Sequence, residues 1–173
     1  IIPTSSTTSQ LALGDALAIA TMKQRKFDKK DFKKIHPAGN LGAQLKTVED
    51  IMLKDNAIPF VNENLKIKDA LKVLSKKKLG FLLVRDAKKL SRGFVSDGDI
   101  RRLTQKKQNL HNISIKEIMT KNPIGIDKNA LAAKALSLMN SKKITSLCVY
   151  EKKNKLKTIG VIHIHNILQS NIS

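Results

Sequence analysis

The segment Gly93–Arg102, GFVSDGDIRR, places a hydroxyl, two carboxylates and two guanidinium groups within seven residues. The apolar Gly-Phe-Val lead reads as the end of a strand, and Ser96-Asp97 reads as the start of a helix, because Ser and Asp are strong N-caps. A carboxylate at Asp99 suits two vicinal hydroxyls of a sugar ring. The open N–H groups of a helix start, with Arg101 and Arg102 one turn on, suit an anion. Ser96, Asp97, Asp99, Arg101 and Arg102 thus describe a site for a molecule carrying both a diol and a phosphate. The same residues also satisfy a plainer reading, in which Asp97 and Asp99 only cap the helix and complement its dipole. Both readings stand at this level.

A related segment, GVIHIHNILQ, lies near the C-terminus. There His163 and Asn166 replace the serine and the second aspartate, and both arginines are gone. Two clefts built on these segments are therefore expected to be unequal. His163 and His165, two apart in an extended segment, put their rings on one face. Two ligands do not make a metal site, and no Cys, Asp or Glu lies close in sequence, so no metal and no cofactor are expected. A third histidine, His36, stands in the turn-like IHPAGNLG. Cys148, the single cysteine, lies in the apolar run ITSLCVY and reads as a reduced core thiol.

The elements that must hold these groups follow from a repeat. Val48–Met52 overlays Ile115–Met119, and Gly93 overlays Gly160, in both cases at an offset of 67 residues. Each copy reads as a short turn (DIM or EIM), a brief strand near 60–61 or 124–126, and a helix over 67–78 or 131–142. Two strands and a closing helix follow. The order is β-α-β-β-α, twice, and one unit alone has too few layers to bury its sheet. Residues 1–47 belong to neither copy. PTSSTTSQLALGDALAIATMKQR predicts an amphipathic helix of about four turns, N-capped by the hydroxyls of Ser5 to Thr8. A short helix and a glycine-bearing turn come next. One helix and a turn make no domain, which points to the C-terminal part of a longer protein.

Composition narrows the classes. Hydrophobic residues make up 41% of the 173 residues and aromatics only 3%, so the core is aliphatic. No apolar run reaches the roughly 20 residues needed to cross a bilayer, and no signal segment opens the chain, which points to the cytoplasm. The net charge of +19 raises the question of nucleic acid. Of the 33 basic residues, however, only five are Arg, and the lysines are scattered. A solvated lysine surface without specific nucleic-acid binding is expected.

The tandem unit with its Gly-apolar-apolar-Ser-x-x-Asp-Ile junction resembles a CBS module, a fold that occurs in pairs and commonly binds nucleotides between copies. PTSSTTSQLALGDALA followed by DFKKIHPAGNLG resembles the end of a sugar isomerase (SIS) domain, specifically that of the arabinose-5-phosphate isomerases, with Ala38 replacing a glycine of the family motif. The resemblance implies an α/β (α+β) chain: residues 1–47 as the end of a SIS domain, 48–107 as the first CBS domain and 108–173 as the second. It implies a cofactor-free enzyme interconverting D-arabinose 5-phosphate and D-ribulose 5-phosphate for synthesis of the acidic sugar Kdo. His36 is its candidate catalytic histidine, against the plainer role of satisfying a loop. The fragment by itself is expected to be inactive. It also implies a nucleotide or CMP-sugar in the cleft, held by the residues around Ser96 and Asp99 and, in the other copy, His163 and Asn166. Homo-oligomers are implied too, dimers of CBS pairs and a tetramer of the whole enzyme. With aromatics scarce, base contacts are expected from apolar residues near Ile58 and Phe60. The alternative is a nucleotide-sensing module of a SIS regulator that binds sugar phosphates without isomerising them.

Overall fold

The computed structural model describes residues 2–35, 39–106, 112–152, 154–170 and 172. The chain divides into two units, Ile1–Leu45 and Lys46–Ser173.

The first unit holds helices α1 (Thr4–Gln24), α2 (Lys29–Ile35) and α3 (Gly39–Gln44). Helix α1 is longer than expected, 21 residues, and none of them is buried. The expected hydroxyl cap is not formed. Pro3 occupies the N-cap without a side-chain bond, and Thr7 Oγ1 instead donates back to the carbonyl of Thr4 at 2.9 Å. Nor is α1 amphipathic: Leu11, Leu13, Leu17 and Ile19 point in several directions and all stay exposed. Its apolar residues are spread around the helix over 11–22 instead of forming one stripe.

The second unit contains both repeats. Each opens on a one-turn helix, α4 (Val48–Ile51) or α7 (Ile115–Ile118), closed by a reciprocal capping box, Thr47 with Asp50 and Ser114 with Glu117. Repeat 1 continues with β1 (Leu53–Lys54), β2 (Phe60–Asn62), α5 (Ile67–Lys77), β3 (Phe81–Arg85), β4 (Ser91–Ser96) and α6 (Asp97–Lys106). Repeat 2 gives β5 (Thr120–Lys121), β6 (Gly125–Asp127), α8 (Ala132–Lys142), β7 (Ser146–Glu151), β8 (Asn154–His163) and α9 (Ile164–Gln169). Helix α5 buries Ile67, Ala70 and Leu74, the 3–4 spacing of one helical face.

The strands form two four-stranded sheets, in the orders β1-β8-β7-β6 and β2-β3-β4-β5. Each repeat thus lends its short first strand to the other repeat's sheet. Strand β1 runs antiparallel to β8, with Leu53 opposite Val161, and β5 runs antiparallel to β4, with Phe94 opposite Thr120. The methionine before each lent strand lies on a glycine of the receiving sheet. A Cβ on Gly93 would fall 2.5 Å from Met119 Sδ, and one on Gly160 would collide with Met52. Backbone bonds repeat the exchange: the Val48 N–H donates to Ala130 O at 2.8 Å, and the Ile115 N–H to Leu65 O at 2.9 Å. The core follows suit. Ile113 and Ile115 pack with Ile67, Leu82 and Val95 of the first repeat, and Ile58, Phe81, Leu83, Cys148 and Val161 form a second cluster across the repeats.

Candidate functional site

The expected site segment is folded as its residues suggest. Strand β4 ends at Ser96 and α6 begins at Asp97. The Ser96 N–H and Ser96 hydroxyl both donate to Asp99 Oδ2, at 2.8 and 2.7 Å. The Asp99 N–H donates back to Ser96 Oγ at 3.2 Å. This is a reciprocal cap. Arg102 Nη2 takes the other carboxylate oxygen, Asp99 Oδ1. Partial burial disfavours the Asp99 charge, but the bonds from Ser96 and the Arg102 guanidinium outweigh it and hold its carboxyl below the usual range. The plainer capping role is therefore physically present.

Asp99 also faces a cleft. It and Ser96 line a cavity of about 320 Å³ with Gly80, Phe81 and Phe94 of the first repeat. The opposite wall is Thr120, Asn122, Pro123 and Ile124, together with Lys143, Ile144, Thr145 and Ser146. All of these come from the second repeat, and Thr120 lies on β5, the strand lent to the first repeat's sheet. Polar groups and an apolar floor share one opening, the usual make-up of a small-molecule site.

Several expected residues stand elsewhere. Arg101 and Arg102 are exposed and do not line the cleft; Arg102 is held by Asp99. The cation at the cleft is instead Lys143, in the left-handed conformation at φ 53° that ends α8. Ile58 is a core residue, 5% exposed, and Phe60 carries the Arg85 guanidinium on its ring at 4.7 Å; neither lines the cleft. The scarcity of aromatics also misleads, since two of the five phenylalanines, Phe81 and Phe94, are stacked at 5.0 Å in the cleft wall. The repeat alignment held the missed signal, for it pairs Phe81 with Ser146, a ring with a hydroxyl.

Asp97 and His163 belong to a second, more open hollow at the twin position, which His165, Lys78 and Gly80 also line. His163 caps α9, its Nδ1 accepting from the His165 N–H at 3.3 Å and its own N–H donating to Asn166 Oδ1 at 3.2 Å. Burial, and to a lesser degree the neighbouring His165, push the His163 pKa down, consistent with a neutral ring that accepts at Nδ1. The two rings lie 4.9 Å apart. They are brought together by the strand-to-helix junction rather than along one extended face. No group of three His, Cys, Asp or Glu side chains among the described residues could hold a metal. Cys148 is buried, and desolvation pushes its thiol up to about 12. His36 lies outside the described residues. No helix among the described residues is long and apolar enough to cross a membrane.

Two sheets with exchanged edge strands and a ligand-sized cleft between the repeats define a CBS pair. The CBS domain model matches residues 48–106 and 115–172, and the chain belongs to the CBS-domain family. Among curated proteins, it is 38% identical over 173 residues to arabinose 5-phosphate isomerase KdsD of Yersinia pestis, covering 99% of this chain and 52% of that enzyme. It is 41% identical over 170 residues to the KdsD of Francisella tularensis, covering 98% and 51%. The chain thus spans about half the length of these relatives. Among solved structures, CBSX2 in complex with AMP superposes with a TM-score of 0.64 at 26% identity, over 72% of this chain and 95% of that one. A CBS-domain protein of Agrobacterium tumefaciens gives a TM-score of 0.66 at 20% identity, over 75% and 96%.

Proposed function

We propose that this chain is the regulatory and assembly region of a cytoplasmic arabinose-5-phosphate isomerase-like enzyme, whose CBS pair senses a nucleotide or nucleotide-sugar. The observation that carries the reading is the cleft beside Asp99, with stacked rings, a carboxylate and a lysine around one opening. Likeness to KdsD over nearly the whole chain supplies the enzyme. Residues 1–47 are its isomerase-domain end, with CBS domains at 48–107 and 108–173.

The stacked Phe81 and Phe94 offer a base an aromatic wall. Asp99 takes the ribose hydroxyls, exchanging Arg102 for them, and Lys143 takes the phosphate. The CMP-activated form of the pathway's acidic sugar product is the first candidate, as a feedback signal. AMP, the ligand of the CBSX2 structure, is the second. Because Asp99 also caps α6, Asp99→Asn is the informative variant: the amide oxygen still caps, while the charge is lost. Calorimetric titration with both ligands should give a loss of about ten- to hundredfold for Asp99→Asn, the scale of one charge-assisted bond. Asn166→Ala should lose far less. Silence with both ligands, or equal losses for the two variants, reduces Asp99 to a helix cap.

In the whole enzyme, His36 is the proposed proton-transfer residue of the aldose–ketose exchange, and His36→Ala should abolish formation of ribulose 5-phosphate from arabinose 5-phosphate. A whole protein that binds the sugar phosphate without converting it is the non-catalytic regulator instead. The fully exposed apolar α1 supports association, and light scattering should find at least a dimer. A monomer removes that part of the reading.

A further inference from the structure

We propose that the CBS pair holds one ligand per chain, because Ser146 opens the cleft beside Asp99 and hydrogen-bonds its occupant, whereas Phe81 closes the twin cleft. This inference rests on the ligand-sensing reading above and specifies which of the two clefts serves it.

Phe81 and Ser146 occupy the same position in the two repeats, the first residue of β3 and of β7. Across their hairpins Phe81 faces Ser96, and Ser146 faces His163. Exact two-fold equivalence would make the clefts alike; these four residues break it. On the Asp99 side both corner residues, Ser96 and Ser146, are small hydroxyls, and space for a ligand remains between them. On the twin side the corresponding pair is His163 and Phe81. Their rings stack at 6.4 Å with planes 7° apart, and Phe81 continues onto Phe94. A column of rings thus stands where the other cleft has a serine. The twin hollow, about 500 Å³, is lined by Lys78, Gly80, Asp97, His163 and His165 instead, and neither Phe81 nor Ser146 borders it.

The second observation is chemical. Ser146 is only 6% exposed, and its Oγ has no hydrogen-bond partner among the described residues. Buried hydroxyls are rarely left unmatched, because desolvation without a replacement bond is costly. This one borders the cleft, beside Thr145 and across from the phenylalanine pair. A bound base lying against Phe81 and Phe94 presents its polar edge to this hydroxyl, and serine can donate to it or accept from it. Ser146 is in this way a specificity residue for the base, separate from Asp99 at the ribose and Lys143 at the phosphate.

Titration calorimetry of the chain with AMP and, separately, the CMP-activated acidic sugar reads the inference directly. The unmutated protein should take up one ligand per chain. Ser146→Ala removes one hydrogen bond and should weaken binding by about two- to tenfold with the stoichiometry unchanged. Ser146→Phe copies the twin cleft and should abolish binding while circular dichroism stays native; if that variant does not fold, the alanine variant alone decides. Two ligands per unmutated chain, or full affinity in Ser146→Ala, overturns the inference and leaves the sensor reading standing. Absence of binding to the unmutated chain with both probes overturns the sensor reading, and the inference falls with it.

Discussion

Replacing Gly93 by alanine tests the strand exchange on which the cleft depends. The added methyl would sit 2.5 Å from Met119 Sδ, 2.7 Å from its Cγ and 2.9 Å from its Cβ. Comfortable carbon contacts begin near 3.5 Å, so the overlaps run from roughly 0.6 Å at the Cβ to about 1 Å at the sulfur. The sulfur can swing away; the Cβ can move only with the backbone, which is pinned by β5 pairing with β4 through Phe94 and Thr120. Overpacking of this kind costs about 1–3 kcal/mol. For a unit of this size, that is a fall in Tm of roughly 4–12 °C. Urea unfolding followed by circular dichroism should show a lower midpoint with an unchanged slope. The double variant Gly93→Ala/Met119→Ala should be more stable than the sum of its single losses by about 1 kcal/mol or more, the signature of two groups in contact. Gly160→Ala should behave alike through Met52. A neutral Gly93→Ala, or strictly additive losses, would refute the packing of Met119 on the first repeat's sheet.

Three further outcomes follow from the titratable groups. The His163 pKa is lower folded than unfolded, so its contribution is complete above the ordinary value of 6.5 and is lost as pH falls through the folded pKa; Tm should drop from pH 7 to 5, and His163→Asn, an equally good cap, should flatten that slope. Asp99 is also depressed in the folded state, so its contribution holds above its ordinary 3.8 and disappears as pH falls further; Asp99→Asn should remove that part of acid unfolding, read as a midpoint shift in an acid titration. Cys148, buried with its thiol pushed up to about 12, should resist thiol reagents at neutral pH, with labelling only at the rate of unfolding; rapid labelling of the native chain would contradict its burial.

The sequence by itself determined the local features. The 67-residue repeat set the order of elements, and Ser96-Asp97 marked the start of α6 because caps and first turns are decided by neighbours in sequence. The apolar spacing of Ile67, Ala70 and Leu74 marked the buried face of α5 for the same reason. Cys148 was legible as a core residue from its apolar surroundings. Only the tertiary structure decided the site. The cleft that begins at Ser96 and Asp99 is completed by Thr120 on the lent β5 and, more than 40 residues away in sequence, by Lys143 and Ser146. Arg101 and Arg102, nominated by proximity in sequence, are exposed on α6 and do not line the cleft, although Arg102 holds Asp99 from outside it, and composition could not foresee two stacked phenylalanines in one wall. A repeat pattern records what each copy is made of. Which face of one copy meets which face of the other depends on pairing across the interface, where Ser146 stands beside the cleft at the position that holds Phe81 in the first copy.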